Sequence, residues 1–215
     1  MKTLLYILLA GILTTSCQFS FRQKQTIDII PHRIVPEADS LYQQAIALMQ
    51  SSYDVDSTRK CIRLLDEALT IDSLNPDYYG IKAKLLSEMG ELDSALHIQT
   101  LAMERHAITG EYLFQLGLLQ AATDKDAEAH ETFGKSRDFL QAILREYPDS
   151  LGALILSEAA NALYHKEDTL FMHDIDAIRQ RFPDRLMEIE MTRRVKPNSL
   201  PEQIKNIRTS KERDR

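Results

Sequence analysis

The chain has 215 residues but only two cysteines, no tryptophan, seven glycines and seven prolines. Two cysteines make no disulfide framework, and none is required: a folded body of about 150 residues buries roughly two-thirds of its chain surface. The scarcity of glycine and proline argues against a loop-rich fold. With Ala, Leu, Glu and Gln abundant, it favours helix. No H-E-x-x-H, G-x-S-x-G, glycine-rich phosphate loop or C-x-x-C occurs, so no motif points to zinc peptidase, serine hydrolase, phosphate-loop or dithiol chemistry. The ten-residue apolar run Leu4–Leu13 would span about 15 Å as a helix, against a bilayer core of about 30 Å, which is too short to cross.

Charge is unevenly spread. The net charge is −6, yet residues 191–215 carry eight Lys/Arg against three acids. An acidic body followed by a basic tail is not the broad basic face of a nucleic-acid binder. The tail, residues 187–215, holds little apolar content, so solvated disorder is its default, with one short helix allowed over "SLPEQIKNI". Contact of its cations with anionic lipid headgroups or an acidic partner is the sharper expectation.

The start of the chain has the layout of an export signal: Lys2, the apolar run, then Thr14, Thr15 and Ser16. With Cys17 next, it resembles a bacterial lipoprotein signal, in which a small residue precedes a cysteine that becomes the lipidated N-terminus. Thr14 departs from that family's pattern, which prefers Leu there. The resemblance implies a signal peptide over 1–16, fatty-acyl (palmitate) anchoring at Cys17 and a tether over 17–37 containing Pro31 and Pro36. Gln18 implies sorting to the outer membrane, facing the periplasm. The short apolar patch Ile27–Ile30 is placed to dock on the body.

The strongest signal is internal. Segments starting at Cys61, Ala95 and Ala129 align at a 34-residue offset. Small residues recur at Cys61/Ala95/Ala129 and Ala68/Ala102/Ser136, with Leu65/Gln99/Phe133 between them. Spacings of four and three place each trio on one helix face. The preceding helices align as well, Tyr79, Lys82 and Ala83 with Leu113, Leu116 and Gly117, and the turns align at Gly90 and Asp124. Asn75 reads as an N-cap with Pro76 at the first helical position.

This helix–turn–helix period resembles the tetratricopeptide repeat. The resemblance implies an all-α fold over 38–186, a right-handed stack of three to four hairpins. Its third second-helix runs long, about 125–146, and a degenerate fourth hairpin follows over 149–165 and 168–182. Cys61 then takes a small buried position, without a disulfide partner or a catalytic role.

Such a stack offers a concave surface lined by the first helix of each hairpin, suited to an extended peptide or amphipathic helix. The candidate groove residues are Lys84, Ser87, Phe114 and Leu118, with Asp77 and Glu111 at the edge. In the second hairpin Gly80 joins them, in the third Ala121, and in the first Gln43, Ala47 and Gln50. The alternative for Phe114 and Leu118 is that they are core. With Lys84 the one basic residue among the matching positions, the two-carboxylate clamp of some family members is not implied.

The expected function is therefore a non-catalytic interaction or scaffold lipoprotein of the bacterial cell envelope. It would have an unidentified protein or peptide partner, no cofactor, no metal and no nucleic acid. The alternative is an envelope enzyme or metal-dependent factor using His165 and His173, which flank a predicted turn.

Overall fold

In the computed structural model, residues 34–213 are described, apart from Tyr53, His106 and Ala107. The readings of the signal, of Cys17 and of the tether up to residue 33 lie outside the described residues. Within them every regular element is helical, and no strand occurs. No described helix is long and apolar enough to cross a membrane.

The helices are α1 (Pro36–Ser51), α2 (Val55–Ile71), α3 (Pro76–Glu88), α4 (Leu92–Arg105), α5 (Gly110–Ala122), α6 (Asp126–Glu146), α7 (Leu151–His165), α8 (Asp168–Arg181), α9 (Leu186–Arg193) and α10 (Leu200–Arg213). They pack in adjacent pairs: α1 on α2, α3 on α4, α5 on α6 and α7 on α8. The chain forms two compact units. One takes in the first two pairs and the chain from residue 204 onward; the other covers residues 109–203.

In the N-terminal unit, the pairs are joined by apolar contact and by capping. The core gathers Ala38, Ala45, Cys61, Leu65, Ala68, Tyr78 and Leu85, with Leu41, Tyr42, Leu48 and Ile62 partly buried around them. The first helices of the two pairs meet directly, with the Tyr42 and Tyr78 rings 5.2 Å apart. Lys82 of α3 also pairs with Asp66 of α2. The Cys61 thiol is buried and reduced, donates to the Ala45 carbonyl at 3.4 Å, and has its pKa pushed up by burial. It packs as the sequence led one to expect, since an ionised thiol is disfavoured there.

The additional residues in the first turn serve as a cap. Asp54 accepts from the Ser57 backbone N–H at 2.8 Å and from its hydroxyl at 2.7 Å, and from Ser52 as well. Hydrogen bonds from Ser52 and Ser57 hold this carboxyl well below the usual range. The charged form therefore sits at the positive end of α2.

In the C-terminal unit, α5 and α6 pair through close approach. Ser136 Oγ donates to the Gly110 carbonyl at 2.7 Å. A Cβ at Gly117 would lie 2.6 Å from Phe133 Cε1, so only glycine fits opposite that ring. α7 packs on α6, and α5 also touches α7. Tyr164 of α7 lies over Gly134, with His130 stacked at 4.3 Å and the Arg137 guanidinium 4.5 Å from its ring centre. α8 returns along α7, and Arg181 donates to Asp149 at 2.7 Å.

The expected tail is instead folded through residue 207. α9 and α10 are helices, and Ile189, Val195, Pro197, Leu200 and Ile204 are buried. Asn198 is the clasp. Its backbone N–H and side-chain amide both donate to Asp168 Oδ1 at 2.9 Å, and the amide also reaches the Ala162 carbonyl at 3.3 Å. Arg179–Glu190 at 2.8 Å and Arg193–Asp176 at 3.1 Å tie α9 to α8. The low apolar content hid this, because the few apolar residues are spaced without helical period yet each lands on the fourth pair.

Candidate binding surfaces

The positions aligned at 34 residues share one environment. Cys61, Ala95 and Ala129 are buried, as are Ala68, Ala102 and Ser136, and Leu65, Gln99 and Phe133. The helix ends repeat as well. α3 and α5 start 34 residues apart, and so do α4 and α6. Asn75 Oδ1 accepts from Asp77 N–H at 3.1 Å and Thr109 Oγ1 from Tyr112 N–H at 3.1 Å, both acting as N-caps.

The turns after these two helices use one device. Gly90 and Asp124 take left-handed backbone, at φ 77° and 61°. Glu91 N–H bonds the Leu86 carbonyl and Gly90 N–H the Ser87 carbonyl. Lys125 with Gln120 and Asp124 with Ala121 repeat the pattern, and so do Glu167 with Ala162 and Lys166 with Leu163 after α7. This paired 6→1 and 5→2 bonding satisfies the last helical carbonyls and sets the angle at which the chain turns back.

The groove candidates divide between the two units. In the N-terminal unit, Asp77 is exposed in the first turn of α3, while Gly80, Lys84 and Ser87 are half-buried along one face. Lys84 Nζ lies 3.9 Å from Glu88 Oε1, and both side chains are largely covered, at 13% and 16% exposed. Ser87 Oγ is turned to its own helix, donating to the Ala83 carbonyl at 2.9 Å. On α1, Gln43, Ala47 and Gln50 are exposed. This face is polar and weakly charged, with its one lysine already accompanied by a carboxylate.

In the C-terminal unit, the matching residues are core. Phe114 and Leu118 are 3% and 5% exposed, and the Phe114 ring sits 6.1 Å from that of Phe133 at a tilted angle. Their burial favours the packing reading over the groove reading. Glu111 is half-buried and accepts from Gln115 at 3.5 Å.

The histidine alternative meets little chemistry. His165 is exposed at the end of α7, its ring edge-on to Tyr164 at 5.0 Å. His173 is exposed on α8 with Nδ1 3.0 Å from Asp174 Oδ1. Among the described residues, no three His, Cys, Asp or Glu gather where they could hold a metal ion.

Sequence reasoning passed over one titratable group. Glu158 on α7 has its pKa pushed up to about 7, by burial first and then by the Asp174 carboxyl facing it from α8. Nothing in the local sequence marks it, because the two acids are brought together only by the α7–α8 pairing.

Comparison with known proteins adds no relative: neither the known family models nor the curated protein sequences contain a match to this chain.

Proposed function

We propose that this chain is a helical-repeat binding module of the bacterial cell envelope, a stack of tetratricopeptide-like hairpins held to the membrane through a lipid on Cys17. The observation that carries the repeat reading is the recurrence, at 34 residues, of N-cap, left-handed turn and buried trio. Three features repeated in register specify one supersecondary unit used more than once. The envelope reading is supported by Lys2, the run Leu4–Leu13 and the Ser16–Cys17 junction.

The proposed work is non-catalytic capture of a protein or peptide. With Phe114 and Leu118 in the core, the surface best suited to it lies within the N-terminal unit, along Gln43, Ala47 and Gln50 of α1 and Gly80, Lys84 and Ser87 of α3, two helices joined by the Tyr42–Tyr78 contact. Polar and glutamine-rich, it suits an extended peptide read through its backbone more than an apolar helix.

Two experiments test the two halves. A photo-crosslinking residue at Ala47 should capture a discrete partner in cells, and one at exposed Arg63 on α2 should not; equal capture at both sites would refute the surface. Radiolabelled fatty acid should enter the wild type and not Cys17→Ser, and equal labelling of the two would refute the anchor.

A further inference from the structure

The helix α9 has two unlike faces. Ile189 and Thr192 are buried on one side. On the opposite side Met187, Met191 and Arg194 recur at i, i+4 and i+7, a spacing that aligns them in one stripe. Met187 is 81% exposed, more than any other large apolar side chain among the described residues, and Leu186 and Met191 are each 41% exposed. Apolar side chains held in water at adjacent helix positions mark a contact surface more often than isolated ones do.

The charges around the stripe are sorted. Glu188 is neutralised by Arg185, whose Nε lies 2.9 Å from it, and Glu190 by Arg179 at 2.8 Å. Arg193 is engaged with Asp176. Arg194 and Lys196 are exposed and make no ion pair, and Asp184 is the exposed acid on the far side of the stripe. The free cations therefore sit at the C-terminal end of an apolar stripe, next to the point where α9 gives way to the Asn198 clasp.

We propose that the Met187–Met191–Arg194 stripe, with Leu186 and Lys196 beside it, rests on an anionic lipid surface. Three apolar side chains expose far less than the roughly 800 Å² per partner of a stable protein interface, so a second protein or a second copy fits poorly. A headgroup layer demands no matching shape, accepts flexible thioether side chains and rewards each nearby cation roughly five-fold in affinity. The envelope-anchored reading supplies the setting, but the lipid contact is tested without it.

Because the chain has no tryptophan, Met187→Trp gives a single local reporter. Full-length protein carrying Met187→Trp and Cys17→Ser is mixed with vesicles of phosphatidylglycerol in phosphatidylcholine, or of phosphatidylcholine alone. Emission should shift to the blue on the anionic vesicles, revert in high salt, and stay unshifted on the neutral ones. Adding Arg194→Glu and Lys196→Glu should remove the shift while the helical circular dichroism is retained, and Leu74→Trp, in the other unit, should show none. The proposal is overturned by an absent shift on anionic vesicles, by a shift indifferent to the two charge reversals, or by a shift that grows with protein concentration without lipid, which would report a second copy. Fatty-acid labelling of Cys17 is read separately, so loss of the anchor and loss of this contact are distinguishable.

Discussion

The second and third hairpins have nearly the same backbone and very different side chains. α3 and α5 run for the same 13 residues, are capped one residue before their start and turn back through a left-handed residue. Yet Gly80 and Lys84 in one correspond to Phe114 and Leu118 in the other, half-buried polar against buried apolar. The helix-to-helix contact shows how the difference is accommodated. In the third hairpin Phe133 fills the space that Gln99 occupies in the second, and the residue facing it shrinks from Ala83 to Gly117. Volume is exchanged across the pair, so the backbone spacing is kept while the chemistry changes.

That exchange is open to attack at its tightest point. Gly117→Ala places a methyl within 2.6 Å of the Phe133 ring and should cost about 1–3 kcal/mol in urea unfolding. Adding Phe133→Leu, which removes the obstructing ring edge, should recover part of that loss. If the double variant is no better than the sum of the singles, the two positions do not share the space as described.

The turns come next. Gly90→Ala puts a Cβ on left-handed backbone and should destabilise by about 1–2 kcal/mol. Asp124→Gly should act in the opposite sense and more weakly, by about 0.5 kcal/mol, because aspartate already tolerates that region and glycine frees the unfolded chain. The same sign for both would break the equivalence of the two turns. The caps should respond alike: Asn75→Ala and Thr109→Ala should each cost about 1 kcal/mol, since each removes one acceptor from an otherwise orphaned N–H.

The smallest effect concerns pH and belongs to the fourth hairpin, outside the matched pair. Glu158 has a folded pKa of about 7 against an ordinary 4.5, so between those values the folded state binds more protons than the unfolded. Stability should therefore fall as pH rises from about 4.5 through about 7, then level off. Glu158→Gln should flatten that slope and raise stability at pH 8. A slope unchanged by the substitution would place the proton elsewhere.

Much of this was legible in the chain. The long α6 and both helices of the fourth pair fall within two residues of where helical spacing placed them. Cys61 lies in the packing position that alignment with Ala95 and Ala129 assigned to it. The α9 segment was not legible, because Ile189, Val195 and Leu200 form no periodic stripe and gain their burial only by landing on the fourth pair. Nor could the groove face be separated from the core by spacing, since Phe114 and Lys84 occupy the same register in their repeats.

The sequence alone determined the element plan: which segments are helices, where they are capped, where they turn, and that a 34-residue unit recurs. These are local matters, decided by backbone preferences, side-chain caps and the alternation of small and large residues within a few turns. Tertiary structure alone decided which aligned positions face solvent, that the basic segment folds back under the Asn198–Asp168 clasp, and that Glu158 meets Asp174. Each of these depends on residues distant in the chain sharing one space, and burial and charge pairing exist only once that space is formed.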